Sequence, residues 1–425
     1  MRPLSIGVAG LGNVAQGVLA LLRENGALIA ARAGRPIAVA VVASRRAKDV
    51  DLLGADFTTD VGSLVKRNDV DVVVELMGGE DAALSLVESA LDAGKPVVTA
   101  NKAILAAHGD RLFELAARGE VAMGIEASVA GGIPVIAALT RSLVANDIDR
   151  VVGIINGTCN FILTGMSSRG ERFDAALAQA QELGYAEADP HFDVGGVDAA
   201  HKLAILAALA FGVPFSRDAV YTEGITEVTP EDIAYARELG YCIKQLGIAR
   251  RTPAGIETRV HPTLVPLDNM LASASGVMNA VELHGNATGS VLLHGPGAGG
   301  RATASAVLAD LVSIARGERP VAYTPAATVP ARVAMTDVVT AAYLRIPAID
   351  QPGVFARIAT ILSEHGISIE GAIQRERAIA DRKVPIVVLT QPVPEGEMNR
   401  ALDALAALPA VVGPIRRIRV EHLDG

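Results

Sequence analysis

Apolar residues in the first 125 positions fall in short, near-continuous runs separated by segments with helical spacing. LSIGVAG, IAVAVVAS, DVDVVVELMGG, KPVVTAN and EVAMGIEAS read as buried strands. VLALLRENG, VGSLVKR, LSLVESALDAG and LFELAARG read as helices between them. This alternation predicts parallel strands with right-handed crossovers, an α/β, Rossmann-like doubly wound sheet. The pattern is more varied from about 126 to 300. It holds a Gly-rich turn, the strand DRVVGIING, an alanine-rich helix near 174–183 and a helix over 198–211 that is apolar all round. A second glycine cluster, HGPGAGG at 294–300, precedes the helix pattern ATASAVLADLVSIAR. Residues 317–333 are broken by prolines and have no period, which predicts a linker or a wrapping segment. From 341 onward the order is strand, helix, strand, strand, helix, strand (AAYLRIPAI, GVFARIATILSEHG, SIEGAIQRE, VPIVVLTQ, EMNRALDALAAL, VVGPIRRIRVE), a ferredoxin-like βαββαβ module.

Composition narrows the class. Half of the 425 residues are hydrophobic and 20% are charged, enough apolar material for sizeable cores. Aromatics make up 3% and tryptophan is absent, which argues against platforms that stack bases or sugars. The net charge of −9 argues against nucleic acid and anionic membranes as partners. Residues 341–425 hold as many bases as acids, so the acidic excess lies in 1–340. Two cysteines, Cys159 and Cys242, build neither a disulfide scaffold nor a four-thiolate zinc site, and they fit a reducing cytosol. No signal-peptide pattern opens the chain, and the longest apolar stretch, 203–215, is too short for a bilayer. The expectation is a cytoplasmic enzyme.

Cofactor chemistry is written at 10–17, GLGNVAQG, between a strand and a helix. Gly10 permits the tight turn, Gly12 lets the backbone approach a pyrophosphate, and Ala15 is the small residue where helix meets strand. Asn13 and Val14 open the helix whose N-terminus is the anion site. In NAD-selective folds the second strand ends in an acid that binds the ribose 2′-hydroxyl. Here it ends in Ser44, Arg45 and Arg46, which suits a 2′-phosphate; NADP is favoured and NAD remains possible. Read alone, these arginines are also compatible with a solvated basic loop.

Lys102, in TANKA, lies at the carboxyl edge of the sheet, where ligands of doubly wound folds bind. Further on, GYAEADPHFDVGGVDAAHKLAIL sets Glu187, Asp189, Asp193 and Asp198 ahead of Lys202. An Asp198–Lys202 spacing of four is ordinarily an exposed salt bridge. The apolar continuation buries this helix, however, and forces both charges to a buried start, where unpaired burial is costly. A lysine whose pKa burial can adjust is a proton carrier suited to a carbonyl/alcohol interconversion, and the acids beside it can hold an ammonium group. His191 and His201 read as satisfied or exposed side chains, and Cys159 as packing, with a nucleophilic role as the alternative.

GLGNVAQG, TANKA, EASVAGGIP, INGTCNFIL, the 184–206 segment and GPGAG occur in the order found in homoserine dehydrogenases, and the last block resembles their regulatory ACT domain. The resemblance covers nearly the whole chain. It implies a nucleotide domain at 1–130, completed by about 300–320, a substrate-binding and dimerisation domain at 131–300, a linker at 317–340 and an ACT domain at 341–425. It implies reversible NAD(P)H-dependent reduction of L-aspartate 4-semialdehyde to L-homoserine, on the route to threonine, methionine and isoleucine. The lysines matching Lys202 and Lys102 are catalytic in that family, and Glu187, Asp193 and Asp198 match substrate-binding acids. Thr99, Gly184 and Gly299 match cofactor-binding positions. Glu126, Val129, Gly131 and Ile133 match the ligands of a monovalent cation, usually sodium. Threonine as effector and a homodimer or homotetramer are further expectations. Ala302 stands where the family often has proline, and Gly366 where an asparagine is common in the ACT ligand turn. Two rivals stand beside this reading: a semialdehyde dehydrogenase using Cys159 and phosphate, and a non-catalytic NADP and amino-acid sensor.

Overall fold

Six parallel strands form the first sheet of the computed structural model, which describes residues 2–321, 323–374 and 383–423. In chain order they are β1 (Leu4–Ala9), β2 (Ile37–Ala43), β3 (Asp56–Thr58), β4 (Val72–Glu75), β5 (Val97–Thr99) and β6 (Met123–Gly124). Their spatial order, β3-β2-β1-β4-β5-β6, reverses between β1 and β4 and opens the crevice typical of doubly wound sheets there. The helix Asn13–Ala33 follows β1 and packs against the helix Gly300–Ala315, which returns from the far end of the substrate domain. The approach is close because both elements carry glycine: a Cβ on Gly17 would lie 2.5 Å from the Gly300 carbonyl oxygen. Ala15, Val18, Ala304, Val307 and Leu311 share the resulting core with Ile6 and Val74.

The expected strand EVAMGIEAS is shorter than its hydrophobicity suggests. Only Met123–Gly124 pairs with β5, and Glu126–Ser128 turns into a 3-10 helix. The buried Asp310 carboxylate accepts the Glu126 N–H at 3.0 Å, an attraction from 184 residues away that no local pattern carries.

The second sheet combines the substrate domain and the C-terminal module. Its strands are β7 (Ile148–Ile154), β8 (Tyr221–Thr222), β9 (Tyr241–Thr252), β10 (Gly255–Pro266), β11 (Met278–Gly285), β12 (Gly289–Pro296), β13 (Val339–Ile349), β14 (Ile369–Gln374), β15 (Lys383–Thr390) and β17 (Arg416–Val420), while β16 (Val393–Pro394) pairs with β13 alone. The order runs β12-β11-β7-β9-β10-β17-β13-β15-β14, with β8 beside β10. Two hairpins in this sheet, β9–β10 across 253–254 and β11–β12 across 286–288, went unread in the sequence. The alternating runs around TPAG and GNATG were the available signal.

The module has the expected βαββαβ order, with the helices Val354–Glu364 and Glu395–Ala406. Residues 375 and 376 of its expected third element lie outside the described residues. It is not a free-standing lobe. Strand β17 inserts between β13 and β10, pairing parallel with β10 at Thr263↔Arg419 and Leu264↔Val420. Tyr343, Val387 and Ile418 share one apolar core with Ile162, Tyr235 and Leu264. Ion pairs knit the same seam: Arg419 meets Glu223 at 2.8 Å and Glu395 at 2.9 Å, Arg345 meets Asp232 at 2.6 Å, and the fully buried Arg259 meets Glu421 at 2.5 Å. Residues 323–333 run against both domains. Tyr323 donates to Asp110, and Ile256 and Val333 exchange backbone bonds with the segment and β10.

Candidate active site

The helix Val197–Phe211 begins at Gly196, whose left-handed backbone (φ 87) ends the Gly195–Gly196 turn. Eleven of its residues are buried, including Asp198 and His201, so the first turn points its charges into the molecule. Asp198 Oδ2 accepts from Lys202 Nζ at 2.7 Å, and Asp198 Oδ1 lies 3.1 Å from Lys102 Nζ. Lys102 comes from the nucleotide domain, as the first residue of the helix Lys102–Arg118, which Asn101 caps by accepting from Ala103 N and Ile104 N. The two lysines therefore meet on one carboxylate across the cleft between the domains.

Asn156 completes the cluster, and the sequence reading missed it. Its Nδ2 donates to Asp198 Oδ2 and to Asp193 Oδ1, both at 2.8 Å, while its Oδ1 accepts from Cys159 N and caps the helix Gly157–Arg169. An asparagine before Gly-Thr at a strand-to-helix junction was the readable capping signature. Its amide group then stands between two acids that would otherwise repel each other.

Electrostatics separates those acids. Burial opposes the charge on Asp198, but Lys202, Lys102 and two hydrogen bonds outweigh it and hold the carboxyl below the usual range. Asp193 moves the other way. Burial raises its pKa, the Asn156 bond resists, and the Asp198 charge adds to the rise. Lys202 Nζ also donates to Ile155 O at 2.8 Å, so two of its three donors are engaged within the protein and the third is free for a ligand. Phe192 lies 5.5 Å from Lys102 Nζ and stacks edge-on against His201. A cavity of about 350 Å³ opens beside them, lined by Glu80, Phe192, Val197, Ala200, His201 and Arg217.

Other expected site residues lie apart from this cluster. Glu187 is exposed on the turn after the helix Phe173–Glu182, outside the hydrogen-bonded group, and Gly184 supplies the left-handed residue of that turn (φ 74). Gly299 (φ 116) precedes the helix 300–315. The Thr99 side chain turns inward: fully buried, it donates to Glu75 and accepts from Asn101 N. His191 is exposed, and burial, with the charges of Arg217 and Lys102, lowers the pKa of the buried His201 ring. Cys159 is fully buried with Sγ directed at the Asp193 carbonyl oxygen, 3.2 Å away. Burial, then Asp193 and Asp198, push its thiol well up, so it has no thiolate to offer as a nucleophile.

The dinucleotide turn has the shape its glycines require. Gly10 sits at φ 100, and a Cβ there would lie 2.5 Å from the Leu76 carbonyl oxygen. Gly12 and Asn13 are exposed, the space beside Gly12 is open, and no side chain caps the helix 13–33. A backbone-lined cradle at a free helix N-terminus fits a pyrophosphate. Arg45 and Arg46 stand exposed just past β2, and Ser44 N bonds to Thr58 O.

The turn at 126–133 is built otherwise. Both Glu126 carboxylate oxygens accept backbone N–H groups, from Ile136 at 2.9 Å and Ala137 at 2.7 Å. Ala130 (φ 54) and Gly131 (φ 48) are both left-handed, and Gly131 packs so tightly on Gly297 that a Cβ would lie 2.7 Å from its carbonyl oxygen. Among the described residues, no group of three or more His, Cys, Asp or Glu side chains is placed to hold a metal.

Comparison with known proteins identifies the family. Residues 10–126 match the homoserine dehydrogenase NAD-binding domain, residues 134–312 the homoserine dehydrogenase family, and residues 342–407 the ACT domain. The chain is 49% identical to the homoserine dehydrogenase of Pseudomonas aeruginosa and 45% identical to that of Neisseria gonorrhoeae, each over the full length of both chains. The crystal structure of a homoserine dehydrogenase from Thiobacillus denitrificans superposes with a TM-score of 0.94 at 46% identity, covering 100% of this chain and 99% of that one. A hyperthermophilic archaeal homoserine dehydrogenase solved with NADPH gives 0.63 at 28% identity, over 73% of this chain and 97% of its own. With two lysines converging on one buried aspartate, and with curated relatives and a solved structure matching along its whole length, the chain belongs to the homoserine dehydrogenase family.

Proposed function

We propose that Lys202 is the proton carrier of the reaction between L-aspartate 4-semialdehyde and L-homoserine, with Lys102 assisting and Asp193, Asp198 and Glu187 receiving the substrate ammonium. The observation that carries this is the triple engagement of Asp198 by Lys202, Lys102 and Asn156. When bound, a reduced nicotinamide supplies the hydride. Lys202 gives a proton to the developing alkoxide through its third N–H, and Asp198 keeps the ammonium aligned for that transfer. Arg45 and Arg46 give NADPH its preference through the 2′-phosphate. The test is NADPH oxidation on adding aspartate semialdehyde, followed against pH. The rate needs no phosphate. Burial raises the Asp193 carboxyl while two lysines keep Asp198 charged, so KM for the semialdehyde rises on the acid side before kcat falls. In Asp193→Asn, KM is high at every pH. A wild-type KM that does not rise on the acid side before kcat falls removes Asp193 from substrate binding.

The turn at 126–133 supports a structural monovalent cation. Glu126 and the carbonyls of Val129, Gly131 and Ile133 are hard oxygen donors that suit sodium. Its place beside Gly297 gives it the task of holding the GPGAG loop against the substrate domain.

The C-terminal module supports threonine as a regulator. Asp350, Pro352 and Gly353 form an exposed turn before the helix 354–364, whose N-terminus no side chain caps. Gly366, just past the C-terminal end of that helix, has φ 70, a conformation that asparagine and glycine both adopt, so the backbone there is kept while a side-chain amide is lost. Two contacts lie between the module and the Gly195–Gly196 turn: Arg419 holds Glu223, and Ile225 N bonds to Val194 O. Because β17 is part of the substrate-domain sheet, truncation would strip β10, so a point variant is the cleaner experiment. Millimolar threonine inhibits the wild type, and Asp350→Ala raises the concentration needed at least tenfold. Indifference of the wild type to threonine, methionine, isoleucine and lysine alike makes the module an assembly element.

A further inference from the structure

Buried acids in this protein are generally matched to bases: Asp198 to two lysines, Asp232 to Arg345, Glu395 to Arg419 and Arg417, Glu421 to Arg259. Three buried acids have no such partner among the described residues: Glu126 and Asp310, which hold backbone N–H groups at the 126–133 turn, and Glu75. Glu75 is the last residue of β4, fully buried, and in register with Ala9 of β1 on one side and Thr99 of β5 on the other. It therefore sits at the floor of the crevice where the strand order reverses. Both of its oxygens accept hydrogen bonds: Oε1 from Met77 N at 2.7 Å and Oε2 from the Thr99 hydroxyl. Thr99 in turn accepts from Asn101 N, next to Lys102. Two donors aimed at two oxygens are the arrangement that an ionised carboxylate accepts. No lysine or arginine pairs with it among the described residues. Burial pushes its carboxyl up, and only the hydrogen bonds of Thr99, Met77 and Asn101 oppose that.

An ionised, unpaired carboxylate at full burial is costly unless a ligand brings the missing positive charge. In doubly wound folds the dinucleotide crosses the crevice at this point, with its pyrophosphate at the first glycine turn. Of the parts of such a cofactor, only the nicotinamide ring changes charge in the reaction: it is neutral when reduced and carries one positive charge when oxidised. We infer that Glu75 is the charge partner of the oxidised nicotinamide, a fixed anion beneath the ring site that favours the pyridinium over the dihydropyridine. The inference rests on the nicotinamide reading of the Gly10–Gly12 turn. It adds a residue that touches neither the carbonyl of the substrate nor the two lysines. As hydride leaves, positive charge grows on the ring, and an anion already in place lowers that barrier without reorganising. Thr99, expected as a cofactor contact, acts here through its hydroxyl, which keeps Glu75 ionised and tied to the segment that carries Lys102.

The test is equilibrium binding, separate from turnover. Dissociation constants of NADP⁺ and NADPH are measured for the wild type, Glu75→Gln and Glu75→Asp, by calorimetry and by the fluorescence of the reduced form. In Glu75→Gln the ratio Kd(NADP⁺)/Kd(NADPH) rises about tenfold, the size expected for one charge acting at a separation beyond direct contact in a partly screened interior. Glu75→Asp keeps the charge and holds the ratio within about threefold of wild type, even where both affinities fall. A Gln variant whose two affinities are unchanged, or weaken by one common factor, overturns the inference, because packing and hydrogen bonding alone do not distinguish the two redox forms. If Glu75→Gln does not fold, Thr99→Val removes a donor from the carboxylate and shifts the ratio in the same direction; no shift there overturns it equally. A wild type that binds neither form shows that the dinucleotide site itself is misassigned, a result distinct from a wild type that binds both beside a Gln variant with an unaltered ratio.

Discussion

Replacing Lys202 by methionine lowers kcat by about 10²–10⁴, the usual loss on removing a positioned proton carrier, and leaves NADPH binding nearly unchanged. The side chain is 12% exposed and its ammonium is fixed by Asp198 and the Ile155 carbonyl, so methionine fills much of the volume without the donors. Asp198 keeps Lys102 and Asn156 as partners in the variant, which limits the damage to the charge balance. The nucleotide turn lies on the first sheet, while Lys202 lies on the helix Val197–Phe211. Steady-state kinetics and NADPH fluorescence titration check the two halves separately. Retention of more than about a tenth of wild-type kcat assigns the proton to another group, with Lys102 the first to examine.

Arg45→Ala with Arg46→Ala lowers kcat/KM for NADPH by about 10²-fold and that for NADH by less than about threefold. Both arginines are exposed at the end of β2, beside the crevice, and no acid stands there to bind a ribose hydroxyl. Hydrogen bonds to a charged group contribute about 1.5–3 kcal/mol each, so loss of one or two to a 2′-phosphate gives a change of this size. Since neither residue is buried, stability should scarcely alter, and thermal melting checks that. Equal losses for both cofactors would show that the pair does not read the 2′-phosphate.

Much of this protein is visible in local pattern. Strands β1, β2, β4 and β5, the glycine turn and the apolar helix 197–211 each follow from a period or from a residue that only one backbone conformation accepts. The C-terminal βαββαβ order is equally local. The helix that buries Asp198 and Lys202 announced itself through the run after Leu203, because a helix apolar on every side has no face to give to water.

What sequence did not carry is who meets whom. Asn156 holds Asp193 and Asp198 from 37 and 42 residues away, Lys102 arrives from another domain, and Asp310 reaches back to bend the chain at Glu126. The same holds for the module, which reads as a separate neutral block yet places β17 inside the substrate-domain sheet and buries Arg419 between Glu223 and Glu395. Hydrophobic periodicity reports a residue's own face and its near neighbours, so it fixes elements and their inward sides. Partners of a buried charge are chosen by the packing of distant elements, since only there does the cost of burial have to be met by an opposite charge. The sequence by itself thus determined the parallel strands of the first sheet, the βαββαβ order of the module, the dinucleotide turn and the buried start of the helix that carries Asp198 and Lys202. The tertiary structure alone decided the meeting of the two lysines on Asp198, the inward turn of Thr99 onto Glu75 and the joining of module to enzyme through one continuous sheet.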